Sequence, residues 1–90
     1  MPIFMVERHY AEVLEVTVEG VDGINAINDD ESVRWLYSFL SLDKRKTYCL
    51  YEAASPEAIQ RAARRAGLPA DVIVEVTNTV HPDAGLRPVS

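Results

Sequence analysis

The sequence predicts an α+β domain of order β-α-β-β-α-β, and three observations carry that prediction. The first is the block Val33–Val76, where apolar and aromatic runs, a basic turn and a helical pattern follow one another with almost no slack. The second is a complete set of helix start and stop signals inside that block. Ser55 can cap, Pro56 suits the first helical position, Glu57 suits the positive first turn, and Gly67-Leu68-Pro69 closes the helix. The third is a strand-like opening, Ile3–His9, with large apolar residues giving way to alternation with Glu7 and His9.

The elements follow in order. Ile3–His9 reads as a strand and Ala11–Val16 as its exit. Between Thr17 and Asn28, Val21, Ile24 and Ile27 recur at helical spacing, with Thr17 as cap and Glu19 in the first turn. Gly20 and Gly23 weaken this helix, each by about 1 kcal/mol relative to Ala. Val33–Leu40 and Thr47–Ala53 read as two strands joined by the polar turn Ser41–Lys46, hence a hairpin. In the second helix, Ile59, Ala62, Ala63 and Ala66 form a small-residue face. Asp71–Thr77 returns as a strand, with Val72, Val74 and Val76 assigned to the helix side. Two crossovers around a central hairpin give the ferredoxin-like arrangement: a four-stranded antiparallel sheet, both helices on one face, first and third strands central. Residues 1–77 form this domain, and 78–90 read as a C-terminal tail that frays or packs on a partner.

Composition removes several function classes. Nine Lys and Arg stand against fourteen Asp and Glu, and the bases are scattered, so nucleic acid is not an expected partner. The opening MPIFMVERHY lacks the basic region and cleavage site of a signal peptide. No stretch approaches the ~20 apolar residues of a membrane span, so neither membrane nor export is expected and the cytoplasm is the default. The lone Cys49 offers no disulfide, and a buried inert thiol is its expected state. No nucleophile–base pairing or glycine-rich phosphate loop points to a catalytic residue.

The sheet's other face is where chemistry is to be sought. Alternation places Met5, Glu7 and His9, then Tyr48, Leu50 and Glu52, then Ile73, Glu75 and Thr77 on it. The strand 33–40 offers Trp35, Tyr37 and Phe39 on one side and Leu36, Ser38 and Leu40 on the other. A bare apolar face predicts a homodimer through the sheet. Glu7, Glu52 and Glu75, from three adjacent strands, would want a cation, a shared proton or an arginine such as Arg8 or Arg34. A carboxylate and imidazole set suits nickel, zinc or cobalt, and His9 stands two residues after Glu7. Three solvated glutamates that never meet are the simpler reading, because a one-residue slip of register reverses a face.

The opening MPIFMVER with the block VRWLYSFLS through DKRKTYCLYEAASPEAIQRAARRAGLPADVIVEV resembles a small bacterial family of nickel-binding, ferredoxin-like proteins. It is largely a domain-of-unknown-function family whose described member is streptomycete. The Trp, the Lys-Arg-Lys turn, the Tyr-Cys-Leu-Tyr-Glu strand and the Gly-Leu-Pro stop carry the resemblance in order, up to about residue 76. It implies a dimer and binding of nickel or a similar divalent ion, with no established catalysis. The family pattern commonly has His before the serine of the Trp strand, whereas this chain has Tyr37 there. A phenol is uncharged near neutral pH and replaces an imidazole poorly, so His9 is the candidate substitute.

The expected metal site is therefore Glu7, His9, Glu52 and Glu75, with Tyr37 at its edge. Two rivals stand beside this metal-binding homodimer. One is an enzyme or small-molecule binder of the dimeric α/β-barrel kind, with Arg8, Ser38 and Tyr51 lining a cavity between sheet and helices. The other is a dimerisation module without a ligand.

Overall fold

The computed structural model describes residues 1–89. Six strands and two helices follow in the order β1 (Ile3–His9), α1 (Val18–Asp30), β2 (Arg34–Leu40), β3 (Lys46–Glu52), α2 (Pro56–Ala66), β4 (Val72–Val76), β5 (Asn78–His81) and β6 (Gly85–Pro88). The first four strands make one antiparallel sheet in the order β2-β3-β1-β4, with β1 and β3 central. This α+β layout is consistent with the ferredoxin-like arrangement.

The helix signals act where the sequence puts them. Thr17 caps α1, its Oγ1 accepting from the Gly20 amide at 3.0 Å, and a Cβ on Gly20 would sit 3.0 Å from that same oxygen. Gly20 thus keeps the cap close, and α1 then runs two residues beyond Asn28. Ser55 caps α2, and Gly67 turns left-handed at φ 68° so that the Leu68 amide reaches the Ala63 carbonyl at 2.9 Å. Any residue with a Cβ is strained there.

Two features of the faces differ from the sequence expectation. β4 is turned over: Ile73 packs on the core while Val72 and Val74 lie on the open face, 42% and 49% exposed. The register is the reason. Val6 and Phe4 of β1 point to the helices, and their partners Ile73 and Glu75 must point the same way. Glu75 is tolerated on that side because β4 is an edge strand, where the carboxylate stays exposed. In β2 the register shifts between Trp35 and Tyr37, so a bulge at Leu36 sends Trp35 to the helix side and Tyr37 and Phe39 to the open face. The indole Nε1–H then donates to Ser38 Oγ at 2.9 Å on the same side. Beyond the sheet, residues 78–88 of the expected tail form an exposed two-stranded hairpin; Ser90 lies outside the described residues.

The core lies between the sheet and α2. Phe4, Val6, Cys49 and Tyr51 from the sheet and Ala53 just past β3 meet Ala58, Ile59 and Ala62 from the helix. Helix α1 is held differently. Only Asn28 near its C-terminal end is buried, Ile27 packs on the core, and Glu31 ties that end to α2. Its carboxylate accepts from Arg61 Nε and Arg65 Nη1, both at 3.1 Å. These two guanidinium groups hold the Glu31 carboxyl below its ordinary value. A folded-state value below the unfolded one contributes stability at neutral pH and loses it as pH falls through the folded-state value. Glu31→Gln is therefore expected to lower the melting temperature at neutral pH, with the gap from the unmodified protein closing on acidification. Thermal melts at several pH values check this, and a gap that is constant or widens in acid would contradict it.

Candidate functional site

The open sheet face has β1 at its middle. Ile3, Met5, Glu7 and His9 alternate outward along it, flanked by Lys46, Tyr48, Leu50 and Glu52 of β3 and by Val72, Val74 and Val76 of β4. Tyr37 and Phe39 of β2 continue the face, their rings edge-to-face with centroids 5.7 Å apart. Tyr37 is 54% and Phe39 60% exposed, so aromatic and valine side chains make an apolar surface in water.

Of the expected metal residues, the structure brings Glu7 and His9 together. His9 Nε2 lies 3.5 Å from Glu7 Oε2, and Lys46 Nζ lies 3.1 Å from Glu7 Oε1. The hydrogen bond from Lys46, with the one from His9, holds the Glu7 carboxyl below its ordinary value. Glu52 shares the face but not the cluster. It pairs with Ile3, four residues along β1 from Glu7 (about 13 Å), and its carboxylate is 4.0 Å from Arg34. Glu75 sits on the helix side at the sheet edge, because of the reversal of β4. Tyr37 opposes Leu50 on β2, with β3 between it and β1. Among the described residues, no three His, Cys, Asp or Glu side chains converge as a metal group would require. Lys46 is the member of the cluster that the sequence reading did not single out. The sequence places it in the turn 41–46, whereas the third strand starts at this residue and its register sets it opposite His9.

The helix side holds a second feature. Because the N-terminal half of α1 stands off the sheet, a cavity of about 430 Å³ opens beneath it. Arg8, Ser38 and Tyr51, the three polar groups expected to line such a space, all do so. Most of the remaining wall is apolar, including Leu14, Val21, Ile24, Trp35, Leu40 and Leu68. Arg8 is 3% exposed. Its Nη1 donates to the Pro69 carbonyl and its Nη2 to the Tyr51 hydroxyl at 3.1 Å, with its Cζ 5.6 Å from the Tyr51 ring centroid. Burial pushes the Tyr51 phenol up, so the hydroxyl stays protonated beside the guanidinium. The rim is built by residues 10–17. The Tyr10 and Leu14 amides donate to the Arg45 and Lys44 carbonyls at 2.8 and 2.7 Å, and the Arg45 guanidinium returns a bond to the Ala11 carbonyl.

Residues 4–76 match the family described as nickel responsive protein SCO4226-like. The chain belongs to this family. Among solved structures, SCO4226 from Streptomyces coelicolor A3(2) is similar, at 31% identity and a TM-score of 0.68, over 82% of this chain and 94% of that one. No curated protein sequence matches the chain. The family is named for a response to nickel, and the β5–β6 hairpin lies past the matched residues. No described helix is long and apolar enough to cross a membrane.

The Arg8–Tyr51 contact gives a test of the cavity wall. Tyr51→Phe leaves a buried guanidinium donor without its acceptor, which costs about 1–3 kcal/mol. Urea unfolding is expected to show a lower midpoint with an unchanged slope, and an unchanged midpoint would contradict the contact.

Proposed function

We propose that the protein is a nickel-binding homodimer, closed through its open sheet face, with Glu7 and His9 as ligands. The observation that carries this reading is their juxtaposition on an apolar sheet face, in a chain of a nickel-responsive family. Imidazole nitrogen and carboxylate oxygen suit a borderline divalent ion. Two ligands are too few to hold one alone, and a second copy supplies two more. An isologous interface with its twofold axis along the strands would bring both Glu7–His9 pairs to the same end. It would also lay Tyr37 and Phe39 of β2 over Val72 and Val74 of the other copy's β4. Bound nickel would draw the Glu7 carboxylate away from Lys46, whose ammonium otherwise opposes the ion. No reaction step is assigned to the metal.

Calorimetric titration of metal-free protein with nickel chloride tests the reading. The expected result is saturable heat at one ion per two chains, lost in Glu7→Gln and His9→Ala and weaker in acid, where an imidazole ligand competes with protons. Lys46→Gln is expected to tighten binding several-fold by removing a like charge. Tyr37→Glu with Phe39→Glu is expected to yield a monomer by sedimentation that no longer binds nickel. No saturable heat up to about 1 mM nickel, or equal affinity in both ligand variants, would overturn it.

A further inference from the structure

We infer that the cavity under α1 is a binding site for a small organic carboxylate with an apolar body, its carboxylate held by Arg8. This inference concerns the helix side of the sheet and is independent of the nickel reading. Four observations support it. The cavity's volume of about 430 Å³ is that of a small-molecule site, and most of its wall is apolar or aromatic. Such a wall favours a hydrocarbon or aromatic body over a sugar or a nucleotide. Arg8 is buried at 3% exposure, and among the described residues no carboxylate pairs with it. Its partners in the protein are a backbone carbonyl and a phenol, both uncharged, and they engage two of the five N–H donors of a guanidinium. A buried cation with neutral partners favours an anion brought by a ligand, and the planar fork of Arg matches a carboxylate.

The surroundings select the charge of that ligand. The cavity reaches the first turn of α1 at Thr17, Gly20 and Val21, where the helix end is electropositive. Glu15 is the one acidic side chain on the wall, and it is exposed at the rim. One buried guanidinium opposite one rim carboxylate suits a monoanion and disfavours a phosphate dianion, whose second charge would go unmatched among apolar side chains. Ser38, Thr47 and the Tyr10 hydroxyl offer neutral polar contacts along the same wall, and the Cys49 thiol is a further neutral neighbour.

The experiment uses Trp35, the single tryptophan of the chain, which lies on the cavity wall. Its emission is followed while sodium octanoate or the uncharged 1-octanol is added to the purified protein. Octanoate is expected to give a saturable change below about 1 mM, with octanol weaker by about tenfold or more. Arg8→Met is expected to erase that preference by weakening octanoate alone. Val21→Phe together with Ile24→Phe fills the cavity without touching Arg8 and is expected to block both probes. Where Arg8→Met does not fold, the octanoate-to-octanol ratio in the unmodified protein and the filled-cavity variant decide. Equal affinity for the two probes, no response of Trp35 to either, or octanoate binding that survives the filled cavity would each overturn the inference.

Discussion

The rest of the structure hangs on the pairing of β1 along both of its edges. Hydrogen-bonded to β3 on one side and β4 on the other, it has no freedom to slip, and its alternation becomes the alternation of the sheet. Phe4, Val6 and Arg8 go to the helices, while Ile3, Met5, Glu7 and His9 go to the opposite face. Every neighbouring strand inherits its sidedness from that choice. The core, the Glu7–His9 pair and the buried arginine are three readings of one seven-residue segment.

That dependence explains what was legible in the sequence. The order of the first six elements, both helix caps and the Gly67 stop follow from local chemistry: cap hydroxyls, a left-handed glycine, β-branched runs. The central position of β1 and β3 follows from the two crossovers, and the hairpin of β5 and β6 was read only as a tail. The face of β4 does not. Three valines against Ile73 and Glu75 look like the buried set, yet the partner strand decides, and no count within β4 contains that information. The bulge at Leu36 is hidden for a similar reason, since the residue that drops out of a ladder is defined by the strand opposite. The proximity of Glu7 and His9 was readable because both lie on one strand. The expected company of Glu52, Glu75 and Tyr37 required register across three strands, and there the reading failed to assemble a cluster.

Helices α1 and α2 cover the sheet unequally, and the inequality is written in their side chains. Ala58, Ile59, Ala62 and Ala63 let α2 settle closely on the sheet. Helix α1 presents Val21, Ile24 and Ile27 with two glycines between and beside them, enough to anchor one end but not to fill the space beneath the other. The fold is therefore solid under one helix and hollow under its neighbour. The hollow contains Arg8, the one buried cation among the described residues, while the opposite face of the same sheet carries the acid–imidazole pair.

The turn between β2 and β3 joins these two regions. Its Lys44 and Arg45 carbonyls fasten the rim of the cavity, and the next residue, Lys46, lies on the open face and meets Glu7. Three consecutive residues thus serve both faces of the sheet, two through backbone carbonyls and one through its side chain. The two surfaces are therefore fastened by one short stretch of backbone, from the carbonyls that hold the rim to the ammonium that holds the Glu7 carboxylate.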